Sequence, residues 1–154
     1  MNFIDVNGRD SIYVIDSHTR PRDKGVRGET YTGLLYVEIN GVISGPYRGS
    51  SYPNSVSTTD NSPKWKTLNE GAFPFNNKYG HSEGSQYGLN IVNEKGERLA
   101  PGTTPDGKAE MIKYPNVHIG FSDKGTPNSR GSKSCITLHP EDAPAFFSNF
   151  KWYN

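Results

Sequence analysis

Cys135 is the only cysteine in the 154-residue chain, and His118 stands seventeen positions before it in HIGFSDKGTPNSRGSKSCITL. A thiol with an imidazole in reach is the minimum for nucleophilic acyl transfer. The base removes the proton, the thiolate attacks a carbonyl, and the imidazolium protonates the leaving group. Backbone N–H groups of the turn from Ser132 to Cys135, Ser134 among them, could stabilise the oxyanion. The Ser132 hydroxyl is placed to orient the base or the turn. Arg130 and Lys133 are either solvated loop charges or cations that hold a substrate carboxylate and favour the thiolate. His81, in YGHSEGS, either sits on a loop surface or lines the cleft. Tyr87 and Tyr114 are either ordinary strand aromatics or line the substrate groove. His139 is read as a residue at the start of the last helix. Against all of this stands the plain alternative that a lone free cysteine is a small buried hydrophobe.

Short strands must position these side chains. SIYVID, residues 11–16, predicts a strand with Ile12, Val14 and Asp16 on one face. Asn40-Gly41 separates LLYVEI from VIS, and Asn-Gly tolerates the positive φ angles of a type I′ turn, so a β-hairpin is expected. Residues 48–63, rich in Ser and Thr, read as loop. GAFPF, 71–75, reads as a short strand with Pro74 at an edge or end. QYGLNIVNEKGERLA gives a strand, a turn at 94–96 and a short return. Pro115 breaks AEMIKYPNVHIGF, after which Val117, Ile119 and Phe121 share one face and His118 takes the other. CITLH alternates, with Cys135, Thr137 and His139 on one face and Ile136 and Leu138 on the other. A hairpin between NVHIGF and CITLH, through the loop at 122–134, would bring His118 to Cys135. The period then changes. In HPEDAPAFFSNF, Pro140 and the acids suit a helix start, and Ala143, Phe146, Phe147 and Phe150 follow helical spacing.

Composition bounds the rest. The net charge of +1 supplies no global field for nucleic acid or an anionic membrane. With 17 Gly, 11 Pro and 9 Tyr the chain reads as a single mainly β domain, residues 1–154, with long loops and a stretch at 17–30 that is a lid, a docking loop or mobile. A secretory leader is not read at the N-terminus, and no apolar run has the length of a membrane span. No cofactor and no metal site is expected. Zinc needs three or four ligands, and four scattered His with one Cys show no paired ligand spacing. GVRGET lacks the Gly-Lys-Ser/Thr ending of a phosphate loop. Only His139 follows Cys135, an order unlike that of papain-like or NlpC-type peptidases.

His118, the loop, Ser132-Lys133-Ser134-Cys135 and Ile136-Thr137-Leu138 together resemble the active-site motif of the L,D-transpeptidase catalytic domain. That family shows a His, a loop of comparable length, Ser/Thr-x-Gly-Cys and then a short apolar strand. The order of elements from about residue 30 to 150 is also similar, although only the His-to-Cys motif is specific. Two positions depart from it: Ser134 replaces the Gly, which would strain a turn that needs positive φ, and Thr137 stands where a basic residue is usual. CITL is similar to small members that bacteria inject into rivals through type VI secretion; a phage or other leaderless wall enzyme would look alike. The resemblance implies a β-sandwich and a peptidoglycan stem peptide as substrate at the cell wall or periplasm. Cys135 would attack the carbonyl between a meso-diaminopimelate or lysine residue and D-Ala. Transpeptidation, carboxypeptidase activity or D-amino-acid exchange would follow, and an immunity or secretion protein is a possible partner. A non-catalytic β-rich module that binds glycan or a partner protein is the competing reading.

Overall fold

The computed structural model describes residues 10–16, 30–54, 65–81, 87–126 and 129–150. Among the described residues, ten strands and one short helix follow one another. They are β1 (Ser11–Ile15), β2 (Gly33–Ile39), β3 (Val42–Ser50), β4 (Thr67–Leu68), β5 (Gly71–Asn76), β6 (Leu89–Ile91), β7 (Leu99–Thr103), β8 (Ala109–Lys113), β9 (Asn116–Ile119), β10 (Ile136–Leu138) and α1 (Ala143–Phe147). Of the stretch 17–30, read as a lid, a docking loop or mobile, residues 17–29 lie outside the described residues.

Seven strands close a barrel in the order β1-β2-β3-β10-β9-β6-β5, and β4-β7-β8 form a separate three-stranded sheet. The molecule is mainly β with a short C-terminal helix, as its composition predicts. The mainly β architecture takes the form of this closed barrel with a separate sheet. Strand β5 accomplishes it by splitting its pairing: Gly71–Pro74 lies on β1, while Phe75 and Asn76 pair with β6. Pro74, with no N–H to give, still uses its carbonyl, which accepts from Val92 N at 3.0 Å. It therefore sits inside the barrel wall, not at an edge.

Period-2 alternation fills the barrel. Ile12, Leu35, Val37, Phe75, Ile136 and Leu138 are completely buried. The β2–β3 hairpin turns at Asn40 and Gly41, with φ of 51° and 79°, the left-handed values that an Asn-Gly turn tolerates. Strand β3 runs through Ser50, so the first residues assigned to the Ser/Thr-rich loop are strand. Its Gly49 and Ser50 pair with Leu138 and Thr137 of β10.

Helix α1 is shorter than the periodic pattern suggests, but its Phe face is buried as expected. Phe146 meets Tyr47 edge-on at 5.3 Å between ring centroids, and Phe150 meets Phe75 at 5.6 Å. The acids preceding it do not serve the helix dipole. Asp142 makes no side-chain cap; its carboxylate accepts from Arg48 N at 2.8 Å, Nε at 2.9 Å and Nη2 at 2.9 Å, tying β3 to the helix start. His139 organises that start from the other side: its carbonyl accepts from Asp142 N and Ala143 N, and its Nδ1 from Glu141 N.

Strands β9 and β10 are parallel, with Val117 level with Ile136 and His118 level with Thr137. The expected antiparallel hairpin is thus overturned. Alternation alone fixes which face a residue takes and is blind to strand direction. The face assignment survives the reversal, because Cys135 and Thr137 share one side of β10 and His118 lies level with Thr137. The apolar partners of His118 fare differently: Val117 is core, but Ile119 and Phe121 are 39% and 68% exposed. Phe121 lies against Gly131, where an added Cβ would stand 2.6 Å from its ring. No helix among the described residues is long and apolar enough to cross a membrane.

Candidate active site

The sulfur of Cys135 and one ring nitrogen from each of His118 and His81 lie within 4.8 Å of one another. Cys135 immediately precedes β10, at the start of the parallel pair, and forms part of the floor of an open cleft of about 890 Å³. The cleft runs between that turn and β8, with Trp65, Met111, Tyr114 and Lys133 among its walls.

His118 comes from β9 and is 1% exposed. Its Nδ1 lies 2.8 Å from its neighbour's carbonyl, Ile119 O, and a carbonyl can only accept, so Nδ1 carries the proton. In the neutral ring Nε2 then holds the free lone pair. That atom is buried and has no hydrogen-bond partner. Burial, reinforced by the charge His81 would carry, pushes the His118 pKa down to about 4 against the Ile119 hydrogen bond. The ring is therefore neutral, with a base nitrogen directed away from its anchoring carbonyl.

His81 arrives from the short bridge after β5 and stacks on His118, with centroids 3.9 Å apart and planes 13° from parallel. Burial lowers its pKa too. Two neutral imidazoles can lie face to face; two cations could not. A polar pair behind the rings sets this position. Asn90 Nδ2 donates to Asn116 Oδ1 at 2.9 Å and to Gly80 O at 3.0 Å, while Asn90 Oδ1 accepts from Tyr79 N at 2.9 Å. Asn116 Nδ2 reaches His81 Nδ1 at 3.4 Å. Buried polar groups of this kind must be satisfied, so the network fixes the backbone leading into His81. Neither Asn90 nor Asn116 was legible as a site residue, yet asparagine is depleted in strands, and two in the strand runs GLNIV and PNVHI are the signal that could have found them.

The turn before Cys135 is held from within. Ser132 is buried; its hydroxyl donates to Cys135 O at 2.7 Å and accepts from Ser134 N at 3.2 Å, and its own N–H donates to Asn54 Oδ1 at 3.3 Å. Of its two anticipated roles, Ser132 fills the one that shapes the turn. Ser134 has φ of 156°, at the margin of the region that favours glycine, so the strain expected of Ser at this position is present.

The loop cations are not where thiolate activation needs them. Arg130, offered as a solvated charge or a carboxylate holder, is completely buried. Its Nε donates to Thr30 O and its Nη1 to Pro53 O, each at 3.0 Å, and it pins the crossover loop to two distant segments. Lys133 is exposed and lies 5.2 Å over the Trp65 ring, on the cleft wall. Burial pushes the Cys135 thiol pKa up, opposed by the Asn116 backbone N–H and by Arg98. The thiol is thus neutral at rest, contrary to the expectation of a cation-favoured thiolate. Arg98, unremarked in the sequence, stacks over Tyr79 and Tyr114 at 4.5 and 4.9 Å.

Tyr87 is displaced from the assigned groove. It lines another hollow, with Ile119, Phe147 and Phe150, that does not include Cys135. Tyr114 does line the cleft. His139 is turned away from the sulfur, with Nε2 3.3 Å from Asp123 Oδ2. Folding also gathers His81, His118 and Cys135, a grouping that their spacing in the sequence does not display.

Chemically, the arrangement offers a neutral nucleophile, a neutral base and an open approach. Comparison with protein-family models, with curated proteins and with solved structures found no match.

Proposed function

We propose that the protein is a cysteine acyl-transfer enzyme of the L,D-transpeptidase type, acting on peptidoglycan stem peptides at the cell wall. The observation that carries the chemistry is the buried, partnerless Nε2 of His118, held in one tautomer by Ile119, in a cluster with the Cys135 sulfur on the floor of an open cleft. The motif resemblance carries the choice of substrate.

In this reaction a substrate carbonyl enters the cleft over Cys135. The S–H proton passes to His118 as the sulfur–carbon bond forms, so charge separates only during attack. The N–H groups of Ser132 and Ser134 are engaged by Asn54 and Ser132. In this reading the oxyanion is met by the remaining backbone N–H groups of the same turn. The imidazolium returns its proton to the leaving D-Ala nitrogen as the amide bond breaks, leaving a thioester. An amine acceptor then gives a crosslink or an exchanged D-amino acid, and water gives the shortened peptide. Lys133, and Lys113 on the same cleft, suit a peptide bearing free carboxylates. A role as an antibacterial effector, delivered by specialised secretion or by phage and neutralised by an immunity protein, fits the same chemistry.

The test is incubation with purified tetrapeptide muropeptides. Release or exchange of terminal D-Ala, abolished in Cys135→Ala, supports the reading. Unchanged muropeptides with folded wild type would overturn it in favour of a binding module.

A further inference from the structure

We infer that His81, His118 and Cys135 form a binding site for a zinc ion, and that its occupancy switches the cysteine off as a nucleophile. The site stands on geometry alone; only the regulatory consequence rests on the acyl-transfer reading. Three donors, two imidazole nitrogens and one sulfur, already lie within 4.8 Å of one another. An independent observation points to a ligand: His118 Nε2 is buried, has no partner, and belongs to a ring 1% exposed. A buried acceptor of this kind is costly to leave unmet, and a cation would satisfy it.

The surroundings resemble those of a metal ligand set. Metal-ligating histidines commonly donate their other ring N–H to a main-chain carbonyl or a carboxylate, which fixes tautomer and orientation. His118 donates in this way to Ile119 O at 2.8 Å. Nitrogen and sulfur donors select zinc over magnesium or calcium, which require oxygen. The cleft leaves the outer side of Cys135 open, so water can take the fourth position. Zinc draws nitrogen and sulfur donors to roughly 3.3–3.6 Å apart in a tetrahedron. Rings stacked 13° from parallel point their in-plane lone pairs side by side, so convergence on one ion requires His81 to turn out of its stack. His81 is half-buried, and its polar contact to Asn116 is long, at 3.4 Å, so that turn breaks little hydrogen bonding.

Binding forms a sulfur–zinc bond and releases the thiol proton to solvent; both imidazoles bind as neutral donors. The sulfur lone pair and the His118 base are then both engaged, so neither can take part in attack.

The experiment titrates the full chain with cobalt(II) and, in parallel, with zinc. One equivalent of cobalt should produce a sulfur-to-cobalt charge-transfer band and the intense visible bands of a four-coordinate ion, both displaced by zinc. Zinc should protect Cys135 from iodoacetamide, and EDTA should restore alkylation. His81→Ala should weaken cobalt binding by at least ~10-fold while the protein keeps its thermal transition, and Cys135→Ser should lose the charge-transfer band. Absence of the band in folded wild type, or a band of unchanged affinity in His81→Ala, would overturn the site. The two proposals separate cleanly. Cobalt binding without muropeptide turnover sinks the enzymatic reading and keeps the metal site. Turnover that zinc leaves untouched, in a protein without the cobalt bands, does the reverse.

Discussion

Arg130→Met asks whether the crossover loop is held by structure or serves a ligand. Among its contacts the guanidinium donates to Thr30 O and to Pro53 O, each at 3.0 Å, from a completely buried position. Hydrogen bonds from a charged donor contribute about 1.5–3 kcal/mol each. Methionine nearly restores the packing volume and removes a buried charge, which returns part of the desolvation cost. The net loss should be about 3 kcal/mol, and Arg130→Ala should lose roughly 4–5 kcal/mol because it also leaves a cavity. Arg130→Lys keeps the charge without the planar fork and should fall between wild type and methionine. Urea unfolding measures this directly. With a slope near 2 kcal/mol/M, a loss of about 3 kcal/mol moves the midpoint down by about 1.5 M. The transition must remain single for the conversion to hold. A methionine variant with the wild-type midpoint would refute the structural role, and if turnover fell at the same time Arg130 would be acting on substrate after all.

Two further outcomes follow from the site. The unfolded chain protonates His118 near 6.5, while the folded protein does so near 4. The folded state therefore binds fewer protons between those values. Stability is fully present above about pH 6.5 and declines as pH falls to about 4, by roughly 3 kcal/mol. In EDTA, His118→Gln should flatten the stability-against-pH curve in that window relative to wild type, because His81 adds the same sign to both; equal slopes would refute the buried neutral base. Ser134→Gly should relieve strain of about 1–3 kcal/mol at φ 156° and lose about 0.4–1 kcal/mol to the freer unfolded chain, for a net gain of about 1 kcal/mol in thermal unfolding. A lower melting temperature would show that the serine is unstrained and that its side chain contributes contacts glycine lacks.

Local chemistry was written plainly in the chain. Alternation placed Ile12, Val14, Ile136 and Leu138 inside, and Asn40-Gly41 marked its hairpin, because both depend on neighbouring residues alone. The same parity put His118 and Cys135 on one side of the paired strands without regard to strand direction. What sequence could not decide was everything set by pairing over long separations. Closure of the barrel depends on β5 meeting β1, some sixty residues apart. The parallel course of β9 and β10, the burial of Arg130 and the departure of Tyr87 to another hollow depend on how loops pack after that closure. So does the stack of His81 on His118. A side chain's exposure and pKa belong to the atoms around it, and those atoms are supplied by folding. Residue types therefore singled out Cys135 and His118, while only tertiary structure drew both toward their neutral forms and added a second imidazole beside them.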